Sequence, residues 1–200
     1  MTEICGKIAA NILKSCTDPL VQNIKDRIII LNLEDIETIT RNNTNKQIIE
    51  GITLVGGSPT VVGYKIEGID YSFDASDALV KGDYGWGYDH KLVCRIFQND
   101  PDSKKAIEDM QGGKYVIIIE NNFVNRNKAG TPGDSRFEIL GLDNGLIVKE
   151  LTRDKSDDAT KGAFVMTFGS HAKALEPHLP ATFFITDEDT TATAVNDLLG

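Results

Sequence analysis

The chain has 200 residues, 40% of them hydrophobic and 26% charged, with 30 acidic against 21 basic side chains and a formal charge of −9. That length suits one domain with a sizeable core and no need of disulfide or metal staples. The acidic balance argues against a duplex-gripping surface, because such binding relies on Lys and Arg displacing counterions from phosphate.

Residues 1–26 read as an N-terminal arm: Ile4, Ile8, Ile12 and Leu13 fall near helical spacing until Pro19 breaks the pattern. They show no basic stretch followed by a sustained apolar one, so no secretory leader is expected, and no run in the chain approaches the roughly 18–20 apolar residues of a membrane span. Cys5, Cys16 and Cys94 are widely spaced, without any C-x-x-C, which predicts unpaired thiols in a reducing cytoplasm.

Arg27–Ile36 is the first predicted strand, and a polar turn at Asn42–Lys46 leads to Gln47–Val55, so the two read as a hairpin. Gly56-Gly57-Ser58-Pro59 closes that unit and Val61–Tyr71 is again strand-like. Ser72–Gly87 then loses periodicity and becomes rich in Asp, Ser and Gly, predicting a loop of a length usually kept for function or contact. His90–Phe97 resumes strand character. Asp102–Gln111 is the clearest helix, with Asp102 or Ser103 as its cap, Ile107 and Met110 facing inward, and Gly112-Gly113 as its stop.

Tyr115–Glu120 is continuously apolar and β-branched, as central strands are. Asn121–Ser135 is a second long polar loop. Phe137 and Ile139 alternate with polar residues, and Asn144-Gly145 offers the two positive-φ positions of a type I′ hairpin turn before Leu146 and Val148 resume the alternation. After the polar loop Thr152–Lys161, Phe164, Met166 and Phe168 share one face. Ala181–Thr186 is a last strand, and Thr186-x-x-Asp189 has the spacing to open a short helix reaching Leu199. The expected fold is mainly β: a sandwich or barrel with one flanking α-helix, long loops and a terminal arm, divided as 1–26, 27–186 and 187–200.

Few residues suit chemistry. His90, His171 and His178 have no His or Cys partner at ligand spacing, so no metal site is predicted and strand-edge or exposed positions are expected for them. Asp89-His90 near Cys94 resembles a base and nucleophile, but a shared strand would pack Cys94 in the sheet. Gly82, Gly85 and Gly87 lack the spacing of a phosphate loop. Asp154, Asp157 and Asp158, and Asp187, Glu188 and Asp189, miss the calcium-loop pattern and read as solvated loop and helix N-terminus. Tyr84, Trp86 and Tyr88 could stack single-stranded bases, but Asp83 and Asp89 carry the wrong charge; a contact surface is the better reading. No catalytic, metal-binding or cofactor-binding residue is assigned.

The order of segments ILNLEDI, a Gly-rich loop, a strand ending RIF, a helix, YVIII, FEILGLDNGL and LPATFFIT resembles the tail tube (major tail) proteins of long-tailed bacteriophages, over roughly Ile28 to Thr186. The resemblance implies hexameric rings stacked into a tube within the virion tail, made in the host cytoplasm, touching other tail proteins and passing genomic DNA without binding it. The expected subunit contacts are Tyr84, Trp86 and Tyr88. Glu50, Glu67 and Asp70 are the expected lumen-facing acids, a solvated outer sheet face being the other reading of each. Other virion modules of the same architecture (tail terminator, baseplate tube or head decoration protein) stay open, as does, more distantly, a ligand-binding β protein or enzyme.

Overall fold

Two apolar runs, Ile28–Leu31 and Tyr115–Ile119, form the centre of the molecule. The computed structural model describes residues 24–56, 61–69, 71–82, 85–122 and 136–200. The expected helical arm before Ile24, most of the Asn121–Ser135 loop, Tyr84 and Asp70 lie outside the described residues.

The strands are β1 Ile24–Asn32, β2 Ile36–Arg41, β3 Ile48–Leu54, β4 Tyr64–Glu67, β5 Phe73–Gly82, β6 Gly85–Ile96, β7 Tyr115–Asn121, β8 Phe137–Leu140, β9 Leu146–Thr152, β10 Phe164–Ser170 and β11 Ala181–Phe183; helix α1 spans Pro101–Asp109 and α2 Glu188–Asp197. The strands form one mixed sheet in the order β2–β3–β11–β8–β7–β9–β10–β6–β5, with β1 paired to β7 and β4 to β1. β3 and β11 run parallel, whereas the other pairs are antiparallel. The two halves join at a single residue pair, Tyr115 with Leu146, where the sheet turns a corner.

β1 and β7 are buried on both faces, which explains their unbroken apolar runs. Ile28, Ile30, Tyr115, Ile117 and Ile119 enter one core with Leu92 and Cys94 of β6, Met166 and Phe168 of β10, and Ile107 of α1. Alternate residues Ile29, Leu31, Val116 and Ile118 enter a second core with Phe137, Ile139, Phe183, Val195 and Leu198. Strand alternation thus turns one face of β1–β7 to β6, β10 and α1, and the other to α2. The expected C-terminal helix is present as α2, and it packs against the sheet as a second flanking helix, since Val195 is only 1% exposed.

Helix caps and turns differ from expectation in instructive ways. α1 is capped by Asp100, whose carboxylate accepts from Ser103 N–H at 2.9 Å, not by Asp102 or Ser103. Pro101 explains the shift, because its fixed φ suits the first helical position and holds the preceding residue extended. α2 is capped by Asp187, which accepts from Thr190 N–H at 2.7 Å, one residue beyond the predicted Thr186. Arg27–Ile36 does not form the first hairpin: β1 ends at Asn32, a 3-10 turn Leu33–Asp35 follows, and β2 pairs with β3 instead. Asn144-Gly145 makes no type I′ turn. Gly141 and Gly145 hold the positive φ values, 72° and 79°, and β8 and β9 pair with other strands rather than with each other.

Candidate assembly interface

Of residues 72–87, expected as a loop, Phe73–Gly82 and Gly85–Gly87 instead belong to a long antiparallel strand pair. β5 and β6 pair without slippage from Phe73 with Cys94 to Gly82 with Gly85. The weak periodicity has a physical cause: β5 ends the sheet and turns Asp74, Ser76 and Ala78 to solvent, so it needs few apolar residues. Directly opposed residues share a face. On the inner face the rungs run Phe73 with Cys94, Ala75 with Leu92, Asp77 with His90, Leu79 with Tyr88 and Lys81 with Trp86.

The root of that face is core and its tip projects past the core. Phe73, Leu92 and Cys94 are buried, Tyr88 is half-buried, and Leu79 and Trp86 are 58% and 70% exposed. An aromatic and a branched aliphatic side chain therefore stand together on a two-stranded arm with little beneath them. The outer backbone edge of β5 has no partner strand among the described residues, nor has the outer edge of β2 at the opposite end of the sheet. Such edges are templates for pairing with another chain.

Of the predicted contact residues, Trp86 and Tyr88 lie together on this arm. Leu79 was missed because its stretch read as loop; the Gly82/Gly85 symmetry, which pairs it with Tyr88, was the available signal. Of the predicted lumen acids, Asp70 lies outside the described residues, and Glu50 and Glu67 are not brought together within the subunit. Glu50 sits half-buried on β3, accepting from Asn42 Nδ2 at 2.5 Å. Glu67 sits exposed on β4, paired with Lys65 at 2.7 Å, whose hydrogen bond and charge hold its carboxyl below the usual range. Four strands, β11, β8, β7 and β1, separate β3 from β4.

Three buried groups bear on the sequence reading. His90 is buried, 2% exposed, contrary to the expected edge or surface position, because its rung lies where β10 and the 171–178 segment cover the hairpin. Cys94 is wholly buried and its thiol is pushed up to about 12 by desolvation, so a Cys94–His90 pair would hold neither a thiolate nor a path to substrate. Glu120, only 4% exposed, accepts from Lys25 at 2.6 Å and Arg136 at 2.8 Å and lies 3.3 Å from Arg27. Burial pushes its carboxyl up, but the bonds and charges of Lys25 and Arg136 outweigh that and hold it below the ordinary range. These three cations are thus engaged internally.

An open cleft of about 420 Å³ beside this cluster is lined by Lys25, Asp26, Arg27, Glu67, Gly68 and Asn122. Its charged lining differs from the apolar, enclosed lining usual for a small-molecule site. Among the described residues there is no group of three or more His, Cys, Asp or Glu placed to hold a metal, and no helix long and apolar enough to cross a membrane. Comparison of the chain with known protein families, with curated proteins and with solved structures finds no match.

Proposed function

We propose that the chain is a structural virion protein, the tail tube subunit of a long-tailed bacteriophage, assembling into hexameric rings that stack into a conduit for DNA. The observation that carries this reading is the β5–β6 arm, with Leu79 and Trp86 exposed at its tip and an unpaired edge alongside. A sheet with free edges at β2 and β5 offers two different surfaces to its neighbours. Contacts of that heterologous kind close into rings, whereas a two-fold dimer uses one surface twice. Closure also removes the edges that would otherwise recruit chains without limit.

The net charge of −9 suits a passage from which DNA must not be held back, because the summed field repels phosphate. Glu50, Glu67 and Asp70 are the acids proposed to face the lumen. Because β3 and β4 lie far apart within one subunit, their carboxylates would line different sectors of each subunit's share of the wall. Other tail proteins would bind the ends of the tube.

Native mass spectrometry over rising protein concentration tests the reading. A six-subunit species is expected, with any intermediates showing open, head-to-tail growth. Monomer and symmetric dimer alone at the highest concentration would overturn it.

A further inference from the structure

The segment between β10 and β11 crosses the root of the hairpin as a strap, fastened at several points. Tyr88 and Glu176 exchange backbone hydrogen bonds at 2.8 and 3.0 Å. Gly87 permits the approach, since a Cβ there would lie 2.6 Å from Leu175 Cβ. The Glu176 side chain, 1% exposed, accepts from Asp143 N–H at 3.0 Å and Asn144 N–H at 2.9 Å, and Asn144 Nδ2 donates to the Leu175 carbonyl at 2.7 Å. His90 is the remaining fastener. Its Nδ1 faces Gly141 N–H at 3.1 Å and its Nε2 faces the His178 carbonyl at 2.9 Å.

These partners fix the tautomer. A carbonyl only accepts, so Nε2 carries the proton; Gly141 N–H only donates, so Nδ1 carries none. The contact with Gly141 therefore requires a neutral ring, whereas the bond to the His178 carbonyl does not. A second proton would set Nδ1–H against Gly141 N–H at the corner where β8 leads into β9, and neither donor could turn away within a packed turn.

We propose that His90 is a proton-operated clasp, whose protonation drives the 141–145 turn off the ring and so loosens the 171–178 strap, which that turn holds through Glu176 and Asn144. The charged groups around it are Glu176 from the strap, Asp77 from β5 and Asp89 from β6, which is itself engaged by Lys149 of β9 at 3.1 Å; Asp143 of the turn is paired with Arg41. Burial holds the His90 pKa below its usual 6.5, although the charges of Glu176, Asp77 and Asp89 and the His178 carbonyl favour the imidazolium. The sign follows from that depression. Closure is strongest above pH 6.5 and weakens as pH falls below it, by up to about tenfold in the closing equilibrium per pH unit.

Backbone hydrogen exchange on the full chain, corrected for intrinsic rates, reads this at the Tyr88, Gly141, Asn144 and Glu176 amides. From about pH 7.5 to about pH 5 their protection should fall by up to about tenfold per unit, before that of the β7 amides. His90→Gln keeps a donor toward the His178 carbonyl and cannot titrate, so its strap protection should lose this pH dependence. Equal pH dependence in both proteins, or none in the wild type, would overturn the clasp. If the variant does not fold, the His90 imidazole resonances of the wild type decide. Titration in step with strap opening supports the proposal; a strap that opens while His90 stays neutral, or only when β7 also loses protection, refutes it.

Discussion

Replacing Trp86 with Ala separates the assembly role of the β5–β6 arm from the stability of the subunit. A Trp side chain offers roughly 150–250 Å² of surface. With 70% of Trp86 exposed, less than a third of that is covered within the subunit. At about 25 cal/mol per Å² the covered part is worth about 1.5 kcal/mol, an upper figure because unfolded chains already bury some surface. For a domain of this size that lowers the melting temperature by no more than about 6 °C. The exposed part, roughly 140 Å², is worth about 3.5 kcal/mol if a neighbouring subunit covers it, which is several hundredfold in the association constant. Circular dichroism at dilute concentration should thus show a small loss, whereas sedimentation velocity at rising concentration should show assembly displaced by two or more decades. A loss of about 3–5 kcal/mol in the dilute protein, as for a core aromatic, would refute the reasoning, as would unchanged assembly.

Glu120→Ala should cost about 2 kcal/mol in urea unfolding at neutral pH, since it removes the carboxylate shared by Lys25, Arg27 and Arg136, whose own partial exposure lets them rehydrate. A loss below about 1 kcal/mol would show the cluster to be a solvated surface feature. Because the folded carboxyl sits below 4.5, its contribution is present above that pH and lost below it, so wild type and variant should converge in acid. Gly141→Ala should destabilise by about 3 kcal/mol or more, because φ is 72° and a Cβ would lie 2.7 Å from Leu146 Cγ and 2.9 Å from backbone atoms of Leu146 and Tyr115. Gly112→Ala, with a φ of 82° but open space around it, should cost only about 1–2 kcal/mol, and equal losses at both glycines would refute the packing argument. Duplex DNA at low salt should show no submicromolar, salt-sensitive binding to the protein; such binding would contradict a conduit.

The elements that the sequence disclosed are those whose burial is symmetric or strongly one-sided. Tyr115–Glu120 was legible as a central strand because both faces are core, and Phe164, Met166 and Phe168 were legible because one face is. β5 was not, since an edge strand half in solvent can be written DASDA without cost to the core. The β8–β9 turn misled for a different reason. Asn144-Gly145 has hairpin chemistry, but Asn144 spends its side chain on the Leu175 carbonyl and keeps a negative φ, the two positive values falling on Gly141 and Gly145. In the interface, Trp86 and Tyr88 were visible as a cluster of aromatics, whereas Leu79 joins them only through the register of the hairpin. The buried roles of His90 and Glu176 depend on a strap some 80 residues away in sequence from His90, and local pattern carries no trace of it.

Electron microscopy of the purified full chain at high concentration tests the central claim most directly. Rings of six subunits around an open lumen are expected, stacking into tubes, with the β5–β6 arm at a contact between subunits. A field of discrete monomers and two-fold dimers, with the arm of every subunit facing solvent, would contradict it.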